Sequence, residues 1–359
     1  MLSDFKIEKF RHFESIEINK IRRVNLYVGK NSAGKSALLE ALLLFFTQMS
    51  LKYLPKIHSN RQEDWEQAAD IPGHTPLRHL FKNHQLPLPG EQGFTLSSTH
   101  DDRSFSVRIE SIRVSREGLT TGMESLVLPQ TREYTLPYEQ LMLIMEKGDH
   151  KKLLFELQDY PPRRPSLMYR SQNSAPLVNF VSTSGISNSE LATLWDSISL
   201  TEAEGEIIKG LQLIEPNVEA VAFVGRSSSR TALVKLSNEI EPVTLKSLGD
   251  GMSRILQIIV SLVNAKGGVL IIDEFENGLH WSVQADVWKL VFKLSAILNV
   301  QVFATTHSRD CIYGFEEAWA TEQNAGGFAR LQKTSNSVKI SEYSFTMLRD
   351  SLETDVEVR

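Results

Sequence analysis

The stretch "VGKNSAGKSALLEAL", from Val28 to Leu42, decides the fold of this chain. It contains the pattern G-x-x-x-x-G-K-[ST], carried by Gly29, Gly34, Lys35 and Ser36. The preceding residues, "RRVNLYV", alternate and are β-rich, so they predict a strand. The following residues, "SALLEALLLFF", hold strong helix formers and no breaker, so they predict a helix. A strand, a glycine loop and a helix in this order predict a phosphate-binding loop.

The chemistry of the loop explains why these residue types are needed. Its backbone is contributed by Gly29, Lys30, Asn31, Ser32, Ala33 and Gly34. The glycines let successive N–H groups point at one anion, and the helix N-terminus adds a partial positive charge. We expect Lys35 to reach the β- and γ-phosphates and Ser36 to place its hydroxyl on Mg²⁺. An ordinary strand-to-helix turn is the alternative, but spacing, lysine, serine and both flanking elements all favour phosphate binding.

A second motif supplies acids at the end of a strand. In "GGVLIIDEFENGLH" (residues 267–280) the apolar run 269–272 is typical of a strand buried on both faces. It ends in Asp273, which can hold Mg²⁺ directly or through water, and Glu274, which can orient or deprotonate an attacking water. An exposed helix cap is the common explanation for such a pair. The phosphate loop elsewhere in the chain favours the catalytic interpretation.

These motifs make the chain resemble a known group. The segment from Leu2 to Leu42 resembles ATP-binding-cassette (ABC) ATPases of the SMC, RecF and OLD kind, and most closely the short prokaryotic ATPases grouped as AAA-fifteen or AAA-twenty-one. The resemblance continues in residues 245–290, in "VQVFATTHSRDCI" (300–312) and in the terminal "SLETDVEVR", so it covers about half of the chain. It implies an α/β P-loop NTPase of the ABC type, with an antiparallel β layer and an inserted helical subdomain. It also implies Mg²⁺-dependent ATP hydrolysis.

The resemblance assigns roles to further residues. "SLGDG" is similar to the signature loop, so Ser247, Gly249 and Gly251 would face the γ-phosphate held by a partner subunit. "ENGLH" (276–280) takes the place of the D-loop, which crosses the dimer interface in the family. His307, in "TTHS", matches the switch histidine that touches the γ-phosphate. An ordinary glycine-rich turn and a polar strand end are the alternatives for the loop and the histidine.

Two other parts of the nucleotide site are less well defined by the sequence. No Q-loop glutamine is assigned: Gln48 follows the first helix, but nothing fixes its role, so the remaining protein ligand of the metal is unidentified. ATP as the nucleotide is implied by the resemblance alone. Arg11, His12 and Phe13, in "KFRHFES", are the candidates for contacts to the adenine.

Composition sets the broad class. At 359 residues and 41% hydrophobic, the chain can bury a large core and form two lobes. A net charge of −5 argues against a strongly basic nucleic-acid binder but permits a local basic groove. Cys311 is the single cysteine, which excludes intrachain disulfides and a cysteine zinc cluster and favours a small buried side chain. Without a long apolar span or a signal-peptide core, we expect a cytoplasmic protein with no membrane contact.

The chain is predicted to fall into three blocks. Residues 1–135 form an N-terminal ATPase lobe with the phosphate loop and a β layer, and residues 136–214 form a helical insertion. Residues 215–359 form a C-terminal lobe with the signature loop, the Walker B acids, the D-loop and the switch histidine. Sustained heptads are absent, which argues against the coiled-coil arms of SMC proteins.

Local patterns fill these blocks. Alternation over 95–135 predicts antiparallel strands, and polar, proline-bearing residues 51–95 predict an irregular surface excursion. Amphipathic spacing predicts helices over 136–160, which includes "QLMLIMEK", and over 188–214. Residues 215–240 predict a β-hairpin with a polar "GRSSSR" turn.

Two clusters outside the motifs invite a functional interpretation, and in both the ordinary one is favoured. Loop histidines that lack helical i, i+4 spacing are usually solvated rather than metal ligands; these are His58, His74, His79 and His84. Basic residues around "YPPRRPSLMYR" could contact nucleic-acid phosphates, but no base-reading or aromatic–basic pattern accompanies them. They are Lys151, Lys152, Arg163, Arg164 and Arg170.

The resemblance also indicates a biological role. The ATP sites would be completed by a homodimer or a higher homo-oligomer. About fifty residues follow His307, too few for the TOPRIM nuclease domain of OLD proteins. We therefore expect an ATP-driven sensor or regulatory subunit, of the kind found in bacterial anti-phage systems, with a nuclease or toxin as a separate effector chain. A RecF-like DNA-repair or chromosome-handling ATPase is the main alternative, which leaves nucleic acid open as a partner. A transport ATPase subunit is a third class, but no coupling Q-loop supports it.

Overall fold

The computed structural model describes residues 1–63, 75–114, 138–157, 177–226, 229–334, 337–354 and 356–358. Its strands are β1 (Phe5–Glu8), β2 (Ser15–Ile18), β3 (Val24–Val28), β4 (Gln92–Ser97), β5 (Phe105–Val114), β6 (Tyr138–Lys147), β7 (His150–Glu156), β8 (Val178–Val181), β9 (Val218–Arg226), β10 (Ser229–Leu236), β11 (Val243–Thr244), β12 (Val269–Ile272), β13 (Gln301–Thr306), β14 (Gly326–Lys333) and β15 (Val338–Tyr343). Its α-helices are α1 (Lys35–Thr47), α2 (Leu54–Asn60), α3 (Asn188–Asp196), α4 (Glu202–Leu211), α5 (Asp250–Val263), α6 (Trp281–Ile297), α7 (Arg309–Thr321) and α8 (Phe345–Glu353).

The chain divides into two compact units. The larger unit comprises Met1–Ser3, Ile18–Phe46 and Ala175–Arg359, and the smaller unit comprises Asp4–Glu17 and Thr47–Ser174. Both units are therefore built from separated stretches of the sequence. They cut across the three blocks that the sequence predicts, because strand pairing joins residues far apart in the chain.

The larger unit is built on a six-stranded sheet in the order β15-β14-β3-β13-β12-β8, in which only β15 runs antiparallel. Every residue of β3, β12 and β13 is buried, as expected for the centre of a parallel sheet. Helix α5 packs on β8 and β12. Aromatic residues fill part of the core: Phe275 stacks on Trp288 at 3.7 Å, and Phe315 meets Trp288 edge-on.

The strand order places the predicted motifs side by side. Val28 of β3 pairs with Thr306 of β13, and Ala304 of β13 pairs with Ile272 of β12. Ile272 pairs in turn with Val181 of β8. Because parallel strands end at the same edge of a sheet, the phosphate loop, the switch histidine, the Walker B acids and the loop after β8 all leave from one edge.

Two further predictions for this unit are confirmed. Helices α3 and α4 lie within the predicted helical stretch 188–214. Strands β9 and β10 form the predicted hairpin, in which Arg226 pairs with Ser229, and β11 adds a third strand. The two central residues of the "GRSSSR" turn, 227–228, lie outside the described residues.

The smaller unit contains a six-stranded sheet in the order β2-β1-β4-β5-β6-β7. The pairs from β1 through β7 run antiparallel, so the antiparallel β layer predicted for residues 95–135 is confirmed in β4 and β5. Residues 115–137 of that prediction lie outside the described part of the chain. The α/β P-loop architecture with an antiparallel layer is thus the one that the sequence predicts.

The helix predicted over residues 136–160 is wrong, because this stretch forms strands β6 and β7. Four consecutive apolar residues of β6, 142–145, are all buried. A short apolar run has no period that separates a buried strand from a buried helix. Pairing with β5 on one side and β7 on the other decides the conformation here, in spite of the helix-forming leucine, methionine and glutamate residues.

Within the stretch 51–95, the described residues 51–63 and 75–95 are more ordered than an irregular surface excursion. It contains α2 and two short 3₁₀ turns, Pro76–Leu80 and Lys82–His84. Leu54, Leu77 and Leu80 are fully buried. Pro55 and Pro76, two of the prolines that suggested a loop, stand in the first turns of α2 and of the first 3₁₀ segment, where a missing N–H costs no hydrogen bond.

Candidate functional site

The phosphate loop has the backbone that its sequence demands. Gly29 and Gly34 have φ angles of +154° and +105°, and Ser32 between them lies at +64°. A Cβ atom on Gly29 would lie 2.4 Å from the carbonyl oxygen of Leu331, so only glycine fits there. Helix α1 begins at Lys35, which leaves its first N–H groups without helical partners at the loop. The curled loop and the helix end together offer several N–H donors to one anion.

Lys35 concentrates positive charge at this loop. Its side chain is buried, and its ammonium donates to the carbonyl oxygens of the loop's first two residues at 2.6 and 3.3 Å. Burial lowers the pKa of Lys35, and the carboxylates of Asp273, Glu274 and Glu276 oppose that shift. The lysine and the three acids therefore act on each other electrostatically at one site.

Asp273 is fixed by hydroxyl groups from both neighbouring strands. Thr305, on β13, donates to Oδ1 of Asp273 at 2.6 Å and accepts the N–H of Glu274 at 3.0 Å. Thr183, in the loop after β8, donates to Oδ2 at 3.3 Å. Neither threonine is predicted from the sequence. The only sequence signal for Thr305 is its place near the end of β13, two residues before His307.

Glu274 occupies a strained and partly enclosed position. Its φ angle is +50°, which few residues other than glycine adopt, and its side chain is 34% exposed. Burial raises the pKa of Glu274, Asp273 and Glu276 raise it further, and His307 and Lys35 oppose the increase. A carboxylate with a raised pKa is a better proton acceptor at neutral pH than an ordinary glutamate.

The structure brings His307 to these acids, and the contact with a γ-phosphate that the resemblance assigns to it stays a prediction. Its Nδ1 lies 3.7 Å from Oε1 of Glu274 and 3.1 Å from Oε1 of Glu276. The same oxygen of Glu276 accepts the backbone N–H groups of His307 and Ser308 at 2.9 and 3.1 Å. Glu276, predicted only as the first residue of the D-loop, is thus directed at its own subunit.

Arg254 is a third residue of the site that the sequence does not reveal. It lies within α5, where its guanidinium is buried and donates to the carbonyl oxygens of Asp273 and Glu274, each at 2.7 Å. It also donates to the carbonyl oxygen of Ser182 at 3.0 Å. Burial lowers the pKa of Arg254 to about 10, against the attraction of the three nearby acids. A charged residue within the apolar pattern "MSRILQIIV" is the only sequence signal.

The predicted signature loop forms a turn at the start of α5. Residues Leu245–Leu248 make a 3₁₀ turn, and Gly249 has a φ angle of +96°. Ser247 is exposed, and its hydroxyl donates to the carbonyl oxygen of Thr244 at 2.6 Å. A Cβ on Gly251 would lie 3.1 Å from the carbonyl oxygen of Gly278, so the signature loop and the D-loop are neighbours within one subunit. The signature loop lies against Gly278 of the D-loop, whereas Lys35, Asp273, Glu274 and His307 form the cluster described above.

Known proteins match this chain in both sequence and fold. The family described as "AAA ATPase domain" matches residues 1–116, and the family described as "AAA domain, putative AbiEii toxin, Type IV TA system" matches residues 192–310. An "ATP/GTP phosphatase" of Helicobacter pylori is 25% identical over 339 residues, covering 87% of this chain and 86% of that protein. The chain is therefore an ATPase that is similar to AAA ATPases of the SMC and RecF kind.

Solved structures agree with the fold of this ATPase. The Smc head bound to the C-winged helix domain of ScpA matches with a TM-score of 0.50 and 11% identity, over 98% of this chain and 99% of that chain. A Smc head domain with an extended coiled coil, bound to the C-terminal domain of ScpA derived from Pyrococcus furiosus, also has a TM-score of 0.50 and 11% identity, over 99% of each chain. At this identity the likeness concerns the fold alone.

The smaller unit of the ATPase contains several residues that the sequence analysis considered. Arg11 is buried and pairs with Glu63 at 2.7 Å. Gln48 donates to the carbonyl oxygen of Arg103 at 2.9 Å, within the same unit. The ring of His12 packs on buried Phe13 at 4.4 Å. The adenine contacts predicted for residues 11–13 stay a prediction.

The loop histidines and the basic cluster around residues 151–170 are only partly covered by the described residues. Lys151 forms ion pairs with Glu110 and Glu146 at 3.4 and 3.5 Å, and the three arginines of the basic cluster lie outside the described residues. His74 is also outside them. Among the residues that are described, no group of three or more histidine, cysteine or acidic side chains is placed to hold a metal ion, and no helix is suited by length and apolarity to cross a membrane.

Proposed function

We propose that this ATPase hydrolyses ATP at the edge of the parallel sheet where β3, β13 and β12 end. The observation that carries the proposal is the convergence of a buried lysine in a phosphate-type loop with Asp273, Glu274 and His307 on adjacent strands. Phosphoryl transfer needs positioning and charge stabilisation more than covalent chemistry. A cationic loop opposite a potential base provides both.

The residues present fit a magnesium ion. Ser36 and Asp273 offer a hydroxyl and a carboxylate oxygen, and both are the hard donors that Mg²⁺ prefers. The Thr183 hydroxyl, 3.3 Å from Asp273, supplies another oxygen beside this carboxylate. When bound, Mg²⁺ would neutralise charge on the phosphate oxygens.

Each side chain then has one task. The loop N–H groups and Lys35 hold the β- and γ-phosphates. Glu274 takes a proton from water as the water oxygen bonds to the γ-phosphorus and the bond to the β–γ bridging oxygen breaks, which yields ADP and phosphate. His307, which follows β13 at the same edge of the sheet, contacts the γ-phosphate.

Two substitutions test this assignment in the purified chain with Mg²⁺ and ATP. Glu274→Gln should lower turnover at least a hundredfold and keep ATP affinity, because the amide is isosteric but cannot accept the proton. Lys35→Ala should weaken ATP binding itself, because a phosphate-facing charge is lost. Phosphate release and calorimetry separate the two effects. Wild-type turnover in Glu274→Gln, or unchanged affinity in Lys35→Ala, would contradict the assignment.

We further propose that the chain acts in the cytoplasm as an ATP-driven sensor or regulatory subunit of a defence system, with a separate effector. The "Type IV TA system" description of the family matching residues 192–310 supports a link to such systems. The ATPase alone should then cleave no DNA with Mg²⁺ or Mn²⁺, because two-metal cleavage needs its own carboxylate cluster. Robust cleavage by the pure chain that survives Lys35→Ala would contradict a separate effector.

A further inference from the structure

Glu276 is the first residue of the D-loop (276–280), the turn that the resemblance assigns to a subunit interface. It stands three residues after Asp273, yet its side chain is only 9% exposed. The turn places the carboxylate against the two residues that follow β13. A buried carboxylate is costly unless donors satisfy it, so its partners indicate what it does.

Three groups of the switch segment converge on one oxygen of this carboxylate. Oε1 accepts the backbone N–H of His307 at 2.9 Å and that of Ser308 at 3.1 Å, and it lies 3.1 Å from Nδ1 of the His307 ring. Both the backbone and the ring of His307 are therefore held by Glu276. Glu274 lies farther from the same ring atom, at 3.7 Å.

We propose that Glu276 is the positioning residue of the switch histidine. An imidazole whose Nδ1 faces a carboxylate carries its proton on Nδ1, which fixes the tautomer and the plane of the ring. Nε2, on the other side of the ring, is then the atom presented to the terminal phosphate. This inference rests on the proposed function of the site.

Another role for Glu276 is conceivable on the same geometry. Its charge also acts on Arg254, which binds the carbonyl oxygens of the Walker B turn. If Glu276 served only Arg254, its loss would disturb the turn whether or not His307 were present. Removing the histidine therefore separates the two roles.

The test compares Glu276→Gln in two backgrounds. In the otherwise wild-type chain, Glu276→Gln should lower kcat about tenfold or more and leave KM for ATP within about twofold, because the amide oxygen still accepts the N–H groups but lacks the charge facing Nδ1. In a His307→Ala chain, the same change should lower kcat less than about twofold further, because residues that act through one another are not additive. Glu322→Gln, at an exposed site, is the matched control for loss of one charge.

The outcomes are distinct. Equal losses from Glu276→Gln in both backgrounds would overturn the positioning role, as would a kcat equal to wild type. A fall in the melting temperature that accounts for the lost activity would also overturn it, so thermal unfolding of each variant is measured in parallel. If the wild-type chain itself released no phosphate from ATP, the proposed function would fail before this inference is tested.

Discussion

In the smaller unit, the carboxylate of Glu63 is held by two buried side chains. Glu63 faces Arg11 at 2.7 Å and Nδ1 of His58 at 3.0 Å, and the side chains of both partners are almost fully buried. Burial by itself would raise the pKa of Glu63. Hydrogen bonds from His58 and Arg11 outweigh it and lower the pKa to about 2. The folded state therefore favours the charged carboxylate.

This arrangement predicts how stability depends on pH. A carboxyl whose pKa falls on folding stabilises the protein above its ordinary pKa of 4.5, and this contribution is lost as the pH falls toward 2. Glu63→Gln should lower the free energy of unfolding by about 3 kcal/mol at pH 7, because Arg11 loses its partner. Urea unfolding should show the difference from wild type shrinking between about pH 5 and pH 2.

The control is Glu14→Gln, which removes an exposed partner of Lys82 in the same unit. A surface pair contributes at most about 1 kcal/mol, so this variant should stay close to wild type at every pH. A Glu63→Gln difference that is independent of pH would contradict the stabilising role of the charged carboxylate.

The candidate site could be predicted from the sequence only where residues adjoin a motif. Lys35, Ser36, Asp273 and Glu274 follow from local patterns, because a phosphate loop and an acidic strand end are contiguous stretches. Thr183 contacts Asp273 from the loop after β8, a strand whose adjacency to β12 no local pattern encodes. Thr305 and Arg254 were missed for the same reason.

At the scale of elements, α5 connects the signature turn to the catalytic acids. Its N-terminus follows Gly249, and one turn later Arg254 reaches the ends of β8 and β12 through three carbonyl oxygens. A shift of α5 should therefore move the turn that bears Asp273 and Glu274. The guanidinium suits this task because its donors are fixed in one plane.

Arg254→Lys tests that connection. The ammonium keeps the charge but cannot reach the three carbonyl oxygens in the fixed geometry of the guanidinium. We expect a loss of about 2 kcal/mol in the free energy of unfolding and at least a tenfold loss of ATP turnover. Ser253→Ala, the neighbouring position on the same helix, is the control and should change neither. Full activity in Arg254→Lys would show that the charge alone is sufficient.

Elements themselves were predictable to different degrees. Helices α1 and α5 follow strong signals, because each begins at a glycine-bearing loop and continues with a long apolar pattern. Strand β6 does not, because its leucine and methionine residues favour a helix in isolation and only its neighbours in the sheet make it a strand. Non-local pairing is the information that a single sequence lacks.

At the scale of the whole molecule, the exposed signature turn suggests that catalysis needs two copies of the chain. Ser247 and Gly249 are exposed at the N-terminus of α5, where an anion held by another subunit would be favoured. In the proposed dimer, each of two equivalent sites would combine Lys35 and Glu274 of one chain with Ser247 of the other. ATP would then favour the closed dimer because it binds that state more tightly.

Mixing two inactive variants tests the composite site. Ser247→Arg should block closure by its bulk, and Lys35→Ala should empty the phosphate loop, so each alone should hydrolyse little ATP. In their heterodimer one site carries both lesions and the other is wild type. Random mixing at equal amounts makes about half of the dimers heterodimers, each with one intact site of two. Turnover should therefore recover to about a quarter of the wild-type value if one intact site suffices. No recovery on mixing, together with a wild-type rate per chain that is independent of concentration, would contradict the composite site.

The same region carries an intrinsic optical probe. Trp281 directly follows the D-loop residue His280 and is 65% exposed, whereas Trp195, Trp288 and Trp319 are buried. An indole in water emits at longer wavelength than one in a dry interior. Trp65 lies outside the described residues, so the probe chain carries Trp65→Phe. In that chain Trp281 should dominate the long-wavelength edge of the fluorescence. Closure of two subunits over this loop would dehydrate the ring and move the emission to the blue. The chain would thus report its own assembly in real time, without a label, each time nucleotide binds or leaves.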